Sequence, residues 1–95
     1  MESNNQSLPS ALDAEKSVIS SIIQDPANNL DRAVELGVES EWFHGYGTRV
    51  MFEQLTRKAK SGQSLDLVSL TTSLIDEGTA EMIGGASAIA ELYSF

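Results

Sequence analysis

Few residues in this chain are of types that could do chemistry, and their spacing does not assemble them into a reaction site. His44 is the only histidine and cysteine is absent, so these residues cannot build a typical zinc site. The neighbouring acids Asp76 and Glu77, and Glu39 with Glu41, are of the type that performs acid–base catalysis, but each pair is predicted at an exposed helix end or turn. We therefore predict no catalytic residue and no metal ligand.

Nucleotide chemistry is also not expected. The glycines fall outside any Gly-x-x-x-x-Gly-Lys-Ser/Thr pattern, and no predicted strand precedes them to aim a phosphate-binding loop. No cofactor is predicted. The only basic cluster, residues 57–60, is best explained as the favourable positive end of a helix, and the alternative is a binding patch.

Composition narrows the function further. The chain has 95 residues, with 14 acidic and 6 basic residues and a formal net charge of −8. Direct nucleic-acid binding is not expected, because its affinity comes from Lys and Arg neutralising phosphates. The length suits one domain. The absence of cysteine, of a secretory leader and of a long apolar run predicts a cytoplasmic protein without a membrane span.

The hydrophobic pattern predicts an all-α fold. Apolar residues recur at helical spacing, and no segment alternates with period two over the length of a strand. The predicted buried stripe of the third helix is Thr48, Phe52, Leu55 and Ala59, and the predicted buried side of the fourth helix is Leu67, Val68, Leu70, Leu74 and Ile75. Short links between helices of unequal length favour a compact orthogonal bundle of about five to six helices. We assign this bundle to residues 10–95 and a disordered tail to residues 1–9.

Helix boundaries are predicted from proline, glycine and capping residues. The first helix is expected from Ala11 to Gln24, since Pro26 cannot continue it. The second starts near Asn28 and ends at Gly37. The remaining boundaries are a third helix from Thr48 to Ser61-Gly62, a fourth capped by Asp66 and ended by Gly78, a link over 79–83, and a last helix after Gly84-Gly85.

Single residues are assigned structural or interaction roles. Arg49 is predicted to pair with a carboxylate, such as Glu53 at i+4 or one from another helix. Trp42 is equally compatible with plugging the end of the bundle and with an interaction hot spot. The candidate interaction residues are Trp42, Tyr46 and Tyr93. The residues predicted to be structural are Phe43, Arg49, Phe52, Asp66, Leu70, Gly84 and Gly85.

Several short motifs in a fixed order resemble the N-terminal domain of bacterial replicative DNA helicases of the DnaB type. The resemblance covers about residues 8–95. Its motifs are Leu8-Pro9-Ser10, Ala14-Glu15-Lys16-Ser17-Val18, Phe43 with Arg49 and Phe52, Gly62 with Asp66-Leu67-Val68-Ser69-Leu70, Gly78, Ile83-Gly84-Gly85 and Ala90-Glu91-Leu92. The chain departs from the family pattern at Ser20-Ser21, at Trp42 and at Thr48.

The resemblance implies a small helical bundle without catalysis. In the family this bundle forms the collar of a hexameric ring and contacts neighbouring helicase subunits, primase and helicase loaders. The full-length protein would be an ATP-dependent DNA helicase. A helical hairpin that follows the bundle in the family is absent here, so the isolated domain is expected to be a monomer or at most a weak dimer.

Three hypotheses about function remain. The first is an N-terminal collar domain of a replicative helicase, favoured because Tyr93-Ser94-Phe95 lie inside an apolar helical pattern with no cap. The second is a free-standing small regulator or loader that mimics this bundle and binds a host helicase. The third is an acidic nucleic-acid mimic or an unrelated helical enzyme.

Overall fold

The computed structural model describes the backbone of residues 7–95 and the side chains of residues 11–95. Six α-helices and one short 3₁₀ turn, with no strand, make up this described part, so the predicted all-α bundle is confirmed. The helices are α1 (Ser7–Gln24), α2 (Pro26–Glu35), α3 (Tyr46–Lys60), α4 (Leu67–Asp76), α5 (Thr79–Met82) and α6 (Gly85–Tyr93), and the 3₁₀ turn spans Ser40–Trp42.

The first helix begins earlier than the sequence predicts. It starts at Ser7 and not at Ala11, and Pro9 lies in its first turn, where the missing N–H is tolerated. The predicted tail therefore overlaps α1 at residues 7–9, and residues 1–6 lie outside the described part. Pro26 ends α1 as predicted, but it also occupies the first turn of α2, which starts there and not at Asn28.

Helix α1 is the centre of the packing, because α2, α3 and α6 all contact it, while α4 packs on α5 and α6. The core is formed by buried apolar side chains from every helix and from the 3₁₀ turn's end. They are Ile19, Ile22, Ile23, Leu30, Ala33, Phe43, Met51, Phe52, Leu55, Leu70, Leu74, Ala80, Ile89 and Leu92.

Some residues predicted to be buried are exposed. Val68 and Ile75, placed on the buried side of α4 by spacing alone, are 73% and 52% exposed. On α3 the stripe ends at Lys58, which is fully buried, and Ala59 is exposed. Helical periodicity locates the edge of a buried face only to within about one residue in either direction. A residue at that edge is therefore easily predicted to be buried in place of its neighbour.

The link predicted over residues 79–83 is largely the single-turn helix α5, and α6 then leaves it sharply through two glycines. Gly84 and Gly85 have φ angles of 109° and 86°, which side chains with a Cβ rarely adopt. A Cβ on Gly84 would also lie 2.9 Å from the Cβ of Ala88. The Gly84-Gly85 pair is therefore what lets α6 fold back against α1 and α4.

Candidate interaction surface

The aromatic turn, residues 40–46, combines exposed aromatic side chains with a tightly held backbone. It contains the 3₁₀ turn and leads directly into α3. Trp42 is 47% exposed and Tyr46 is 57% exposed, whereas Phe43 between them is fully buried. The turn thus points its middle aromatic into the core and leaves one on either side at the surface.

Phe43 anchors the turn in the core. Its ring centroid lies 5.0 Å from that of Phe52 on α3, and the Trp42 ring meets it edge-on at the same distance. Such pairs contribute beyond their buried area. Arg49 also holds the turn, since its Nε donates a hydrogen bond to the Phe43 carbonyl at 3.3 Å. The predicted pairing of Arg49 with Glu53 is wrong, because the nearby carbonyl is its acceptor among the described residues.

A buried carboxylate from α1 fixes the other end of the turn. Glu15 is only 3% exposed and accepts hydrogen bonds from the backbone N–H groups of His44 and Gly45, both at 2.9 Å. The Thr48 hydroxyl donates to the same carboxylate at 2.8 Å. Glu15 therefore caps the start of α3 from another helix, in a place where Gly45 itself offers no side chain.

The charge of Glu15 is favoured by these contacts. Burial by itself raises the pKa of a carboxyl group, but the hydrogen bonds from Gly45, His44 and Thr48 outweigh it, and the pKa of Glu15 lies below its ordinary value of 4.5. The negative charge also suits the positive end of the α3 dipole. At neutral pH the turn is thus held by an ionised carboxylate.

Tyr93, the third candidate interaction residue, is the last residue of α6. Its side chain is 36% exposed, and its carbonyl accepts hydrogen bonds from Ser20 Oγ at 3.0 Å and Gln24 Nε2 at 2.8 Å. Gln24 lies about 13 Å further along α1 than Glu15, at roughly 1.5 Å per residue. The structure therefore brings Trp42 and Tyr46 into one turn, whereas Tyr93 is at the end of α6, where α1 holds its carbonyl.

The other predicted structural residues have local roles. Asp66 is at the predicted N-cap of α4 and accepts a hydrogen bond from the Ser69 N–H at 3.1 Å. Leu70 is fully buried. His44 is exposed, and among the described residues no group of three or more His, Cys, Asp or Glu side chains is arranged to hold a metal ion. No helix in residues 7–95 is long and apolar enough to cross a membrane.

Sequence reasoning missed a second buried charge, on α3. Lys58 is fully buried, and its Nζ donates to Ser73 Oγ and to Glu77 Oε2, both at 2.6 Å. Arg57 donates to Glu77 as well, at 3.1 Å. The basic cluster therefore joins α3 to the end of α4. Glu77 is an exposed helix end, as predicted, and it also pairs with both of these cations.

Spacing could have found both missed residues. Glu15 lies four positions before Ile19, and Lys58 lies three positions after Leu55, so each falls on a buried helix face. Two family departures also prove to be contacts between elements, since Thr48 bonds Glu15 and Ser20 bonds the end of α6. A charged or polar residue on an otherwise apolar helix face was therefore the sequence signal for these buried contacts.

Comparison with known proteins decides the family. Residues 7–95 match the model of a protein family that is described as "DnaB-like helicase N terminal domain". The chain belongs to the DnaB-like helicase N-terminal domain family. The matched segment is thus the non-catalytic N-terminal domain of such helicases.

Several similar proteins are each named replicative DNA helicase DnaB. The chain is 31% identical over 84 residues to the replicative DNA helicase DnaB of Geobacillus stearothermophilus, and 30% identical over 84 residues to that of Pasteurella multocida. The replicative DNA helicase DnaB of Buchnera aphidicola from Acyrthosiphon pisum is 31% identical over 84 residues. Each alignment covers 88% of this chain and 18% of the DnaB relative, so the chain spans about a fifth of the relatives' length.

Proposed function

We propose that this segment is the collar domain of a replicative DNA helicase, serving subunit assembly and the docking of primase or a helicase loader. Family membership supports this function, since the relatives are named replicative DNA helicases. ATP-dependent unwinding then belongs to the remaining part of a longer cytoplasmic protein. The chain described here contributes contacts and no chemistry.

The observation that carries the docking role is the aromatic turn. Large aromatic side chains at a protein surface are typical anchors of protein–protein interfaces, because they bury much area at little cost in conformational entropy. Trp42 and Tyr46 are exposed on a backbone that Glu15 and Arg49 hold in place. A held backbone loses little freedom when a partner binds.

The acidic charge supports a protein partner over a nucleic acid. With a net charge of −8, the surface repels phosphate backbones. We expect no appreciable binding of single-stranded or duplex DNA at physiological salt. Fluorescence anisotropy with labelled oligonucleotides measures this, and a salt-dependent rise in anisotropy would contradict it.

Assembly is tested by comparing chains of two lengths. We expect residues 1–95 alone to be a monomer or a weak dimer at micromolar concentration, since stable association at such concentrations needs a large buried interface. A chain extended through the downstream coding sequence should assemble further. Light scattering measures both. A tight hexamer from residues 1–95, or a reading frame that stops after Phe95, would instead favour the free-standing regulator of a host helicase.

Docking is tested by removing the exposed aromatic. Trp42→Ala should weaken binding of the cognate primase or loader by tenfold or more, since such anchors typically contribute at least about 1.4 kcal/mol. The matched control is Ile75→Ala, which removes a side chain of similar exposure, 52% against 47%, from α4. Calorimetry measures both affinities. If the two variants bind the partner with equal affinity, the aromatic turn is not part of the interface.

A further inference from the structure

A shallow groove far from the aromatic turn lies between α2 and the loop that joins α3 to α4. Its volume is about 470 Å³, and we call it the α2–α3 groove. Its apolar lining comes from Ala27, Leu30, Ala59 and Leu65. Leu30 is only 4% exposed and forms the floor. Ala59 is about 20 Å from Tyr46 along α3, so this groove is separate from the aromatic turn.

Every charged side chain that lines the groove is acidic. These are Asp31 on α2 and Asp66 at the start of α4. Hydrogen bonds from Ser64 and Ser69 lower the pKa of Asp66 to about 2, so it stays ionised at neutral pH. Gly62, which follows the negative C-terminal end of α3, also lines this groove.

The neighbouring basic residues do not line the groove. Lys58 is buried against Ser73 and Glu77, and Arg57 donates to Gln54 and Glu77. Both side chains are thus committed to the end of α4, and neither lines the groove. Arg32 and Lys60, next in sequence to Asp31 and Ala59, are exposed but do not line it either. An apolar floor whose charged lining is acidic favours a ligand that is apolar on one side and basic on the other.

A second groove, among the described residues, has no such preference for a basic ligand. It measures about 700 Å³ and lies between α1, the start of α3 and the end of the chain after α6. Its charged lining is Lys16 together with Glu91, which have opposite signs. Nothing in it selects one kind of partner.

We propose that the α2–α3 groove binds a basic amphipathic helix of a partner protein. An aliphatic side chain of that helix enters over Leu30 and Leu65, and a Lys or Arg on its edge pairs with Asp31 and Asp66. Helix-in-groove recognition of this kind uses a few apolar anchors with charges at the rim. The inference extends the proposed docking role to a second surface and rests on that role.

The test uses the full chain, labelled with ¹⁵N, and a synthetic helical peptide of Leu, Ala and Lys with its Leu residues on one face. The matched peptide has Glu in place of Lys. We expect the basic peptide to shift the amide signals of Ala27, Leu30, Gln63 and Leu65 in a saturable way that weakens with salt, and the acidic peptide to leave them unchanged. No saturable shift at millimolar peptide, or shifts spread over all acidic residues, would overturn the inference.

Two variants and one control locate the binding. Ala59→Arg places a long basic side chain at the groove and should abolish the shifts. Asp31→Asn should weaken binding about three- to tenfold. Asp76→Asn removes an exposed acid that does not line the groove and should change nothing. Asp66 is not substituted, because it also caps α4. Equal weakening by Asp31→Asn and Asp76→Asn means unspecific charge attraction and refutes the proposal.

The two proposals fail separately. If Trp42→Ala abolishes docking of primase or loader while the basic peptide leaves the groove signals unchanged, only the groove inference falls. If the peptide binds the groove and Trp42→Ala has no effect, the aromatic turn is not the docking surface.

Discussion

Glu15 on α1 holds the backbone N–H of Gly45 at 2.9 Å, across a separation of 30 residues in the chain. The approach is close because Gly45 has no side chain: a Cβ there would lie 3.4 Å from Glu15 Oε1 and 3.0 Å from Thr48 Oγ1. One carboxylate thereby fixes the start of α3 and the aromatic turn at once. The position of the candidate interaction surface depends on this contact.

Glu15→Ala should be strongly destabilising. It leaves the N–H groups of His44 and Gly45 without their acceptor, and we expect a loss of about 2–4 kcal/mol in the free energy of unfolding. Glu15→Gln keeps the size and one acceptor oxygen, so its loss should be smaller. Urea unfolding of the three proteins provides the values. A cost below roughly 1 kcal/mol for Glu15→Ala would show that the carboxylate is not needed.

The contribution of Glu15 should depend on pH. Its pKa in the folded protein lies below the ordinary value of 4.5, so the unfolded chain binds the proton more readily. The stabilisation is therefore present above about pH 4.5 and is lost as the pH falls through the lowered folded pKa. We expect the difference in unfolding free energy between the natural chain and Glu15→Gln to shrink from pH 6 to pH 3. A constant difference over this range would contradict the lowered pKa.

The ion pair between Lys58 and Glu77 should respond unequally to removal of its two partners. Glu77→Gln leaves the fully buried Lys58 ammonium without its carboxylate, and we expect a loss of about 2–3 kcal/mol in the free energy of unfolding. Lys58→Met leaves Glu77 partly exposed and still beside Arg57, so its cost should stay below roughly 1 kcal/mol. Thermal or urea unfolding distinguishes them. Equal costs would mean that Lys58 is hydrated in solution.

Phe52→Ala should be among the most damaging core substitutions. Phe52 is 3% exposed and packs on Phe43, so truncation leaves a cavity and should cost about 3–5 kcal/mol of unfolding free energy. The control is Val68→Ala on α4, which is 73% exposed and should change stability by less than about 0.5 kcal/mol. If the two variants unfolded at similar urea concentrations, the assigned core would be wrong.

Gly84→Ala should destabilise the last helix. Its φ of 109° strains any residue with a Cβ, and the new methyl would lie 2.9 Å from Ala88. We expect a loss of about 1–3 kcal/mol in the free energy of unfolding. Gly47→Ala is the control, because Gly47 is in α3 with nothing within 4 Å of an added Cβ. Circular dichroism during thermal unfolding measures both melting temperatures. A lower melting temperature for Gly47→Ala than for Gly84→Ala would contradict the conclusion that Gly84 requires glycine.

The fold could be predicted largely from local signals. Pro26, Asp66 and Gly78 mark helix boundaries through backbone geometry and capping, which depend on a few neighbouring residues. Residues well inside an apolar stripe, such as Phe52 and Leu70, were placed correctly in the core. Errors in the fold occurred at stripe edges, such as Val68, and at helix starts, such as that of α1. There, tertiary packing outweighs the local pattern.

The sequence by itself determined the helical class, most helix boundaries and the family, because these depend on spacing along the chain. It left Trp42 equally compatible with plugging the end of the bundle and with an interaction hot spot, and the structure decided that its side chain is 47% exposed. Tertiary structure alone decided that Glu15 reaches His44 and Gly45, and that Lys58 reaches Glu77. Such contacts join residues far apart in the chain, and a buried charge is stable only where folding brings its partners to it. No periodicity specifies which distant backbone N–H or carboxylate that partner is.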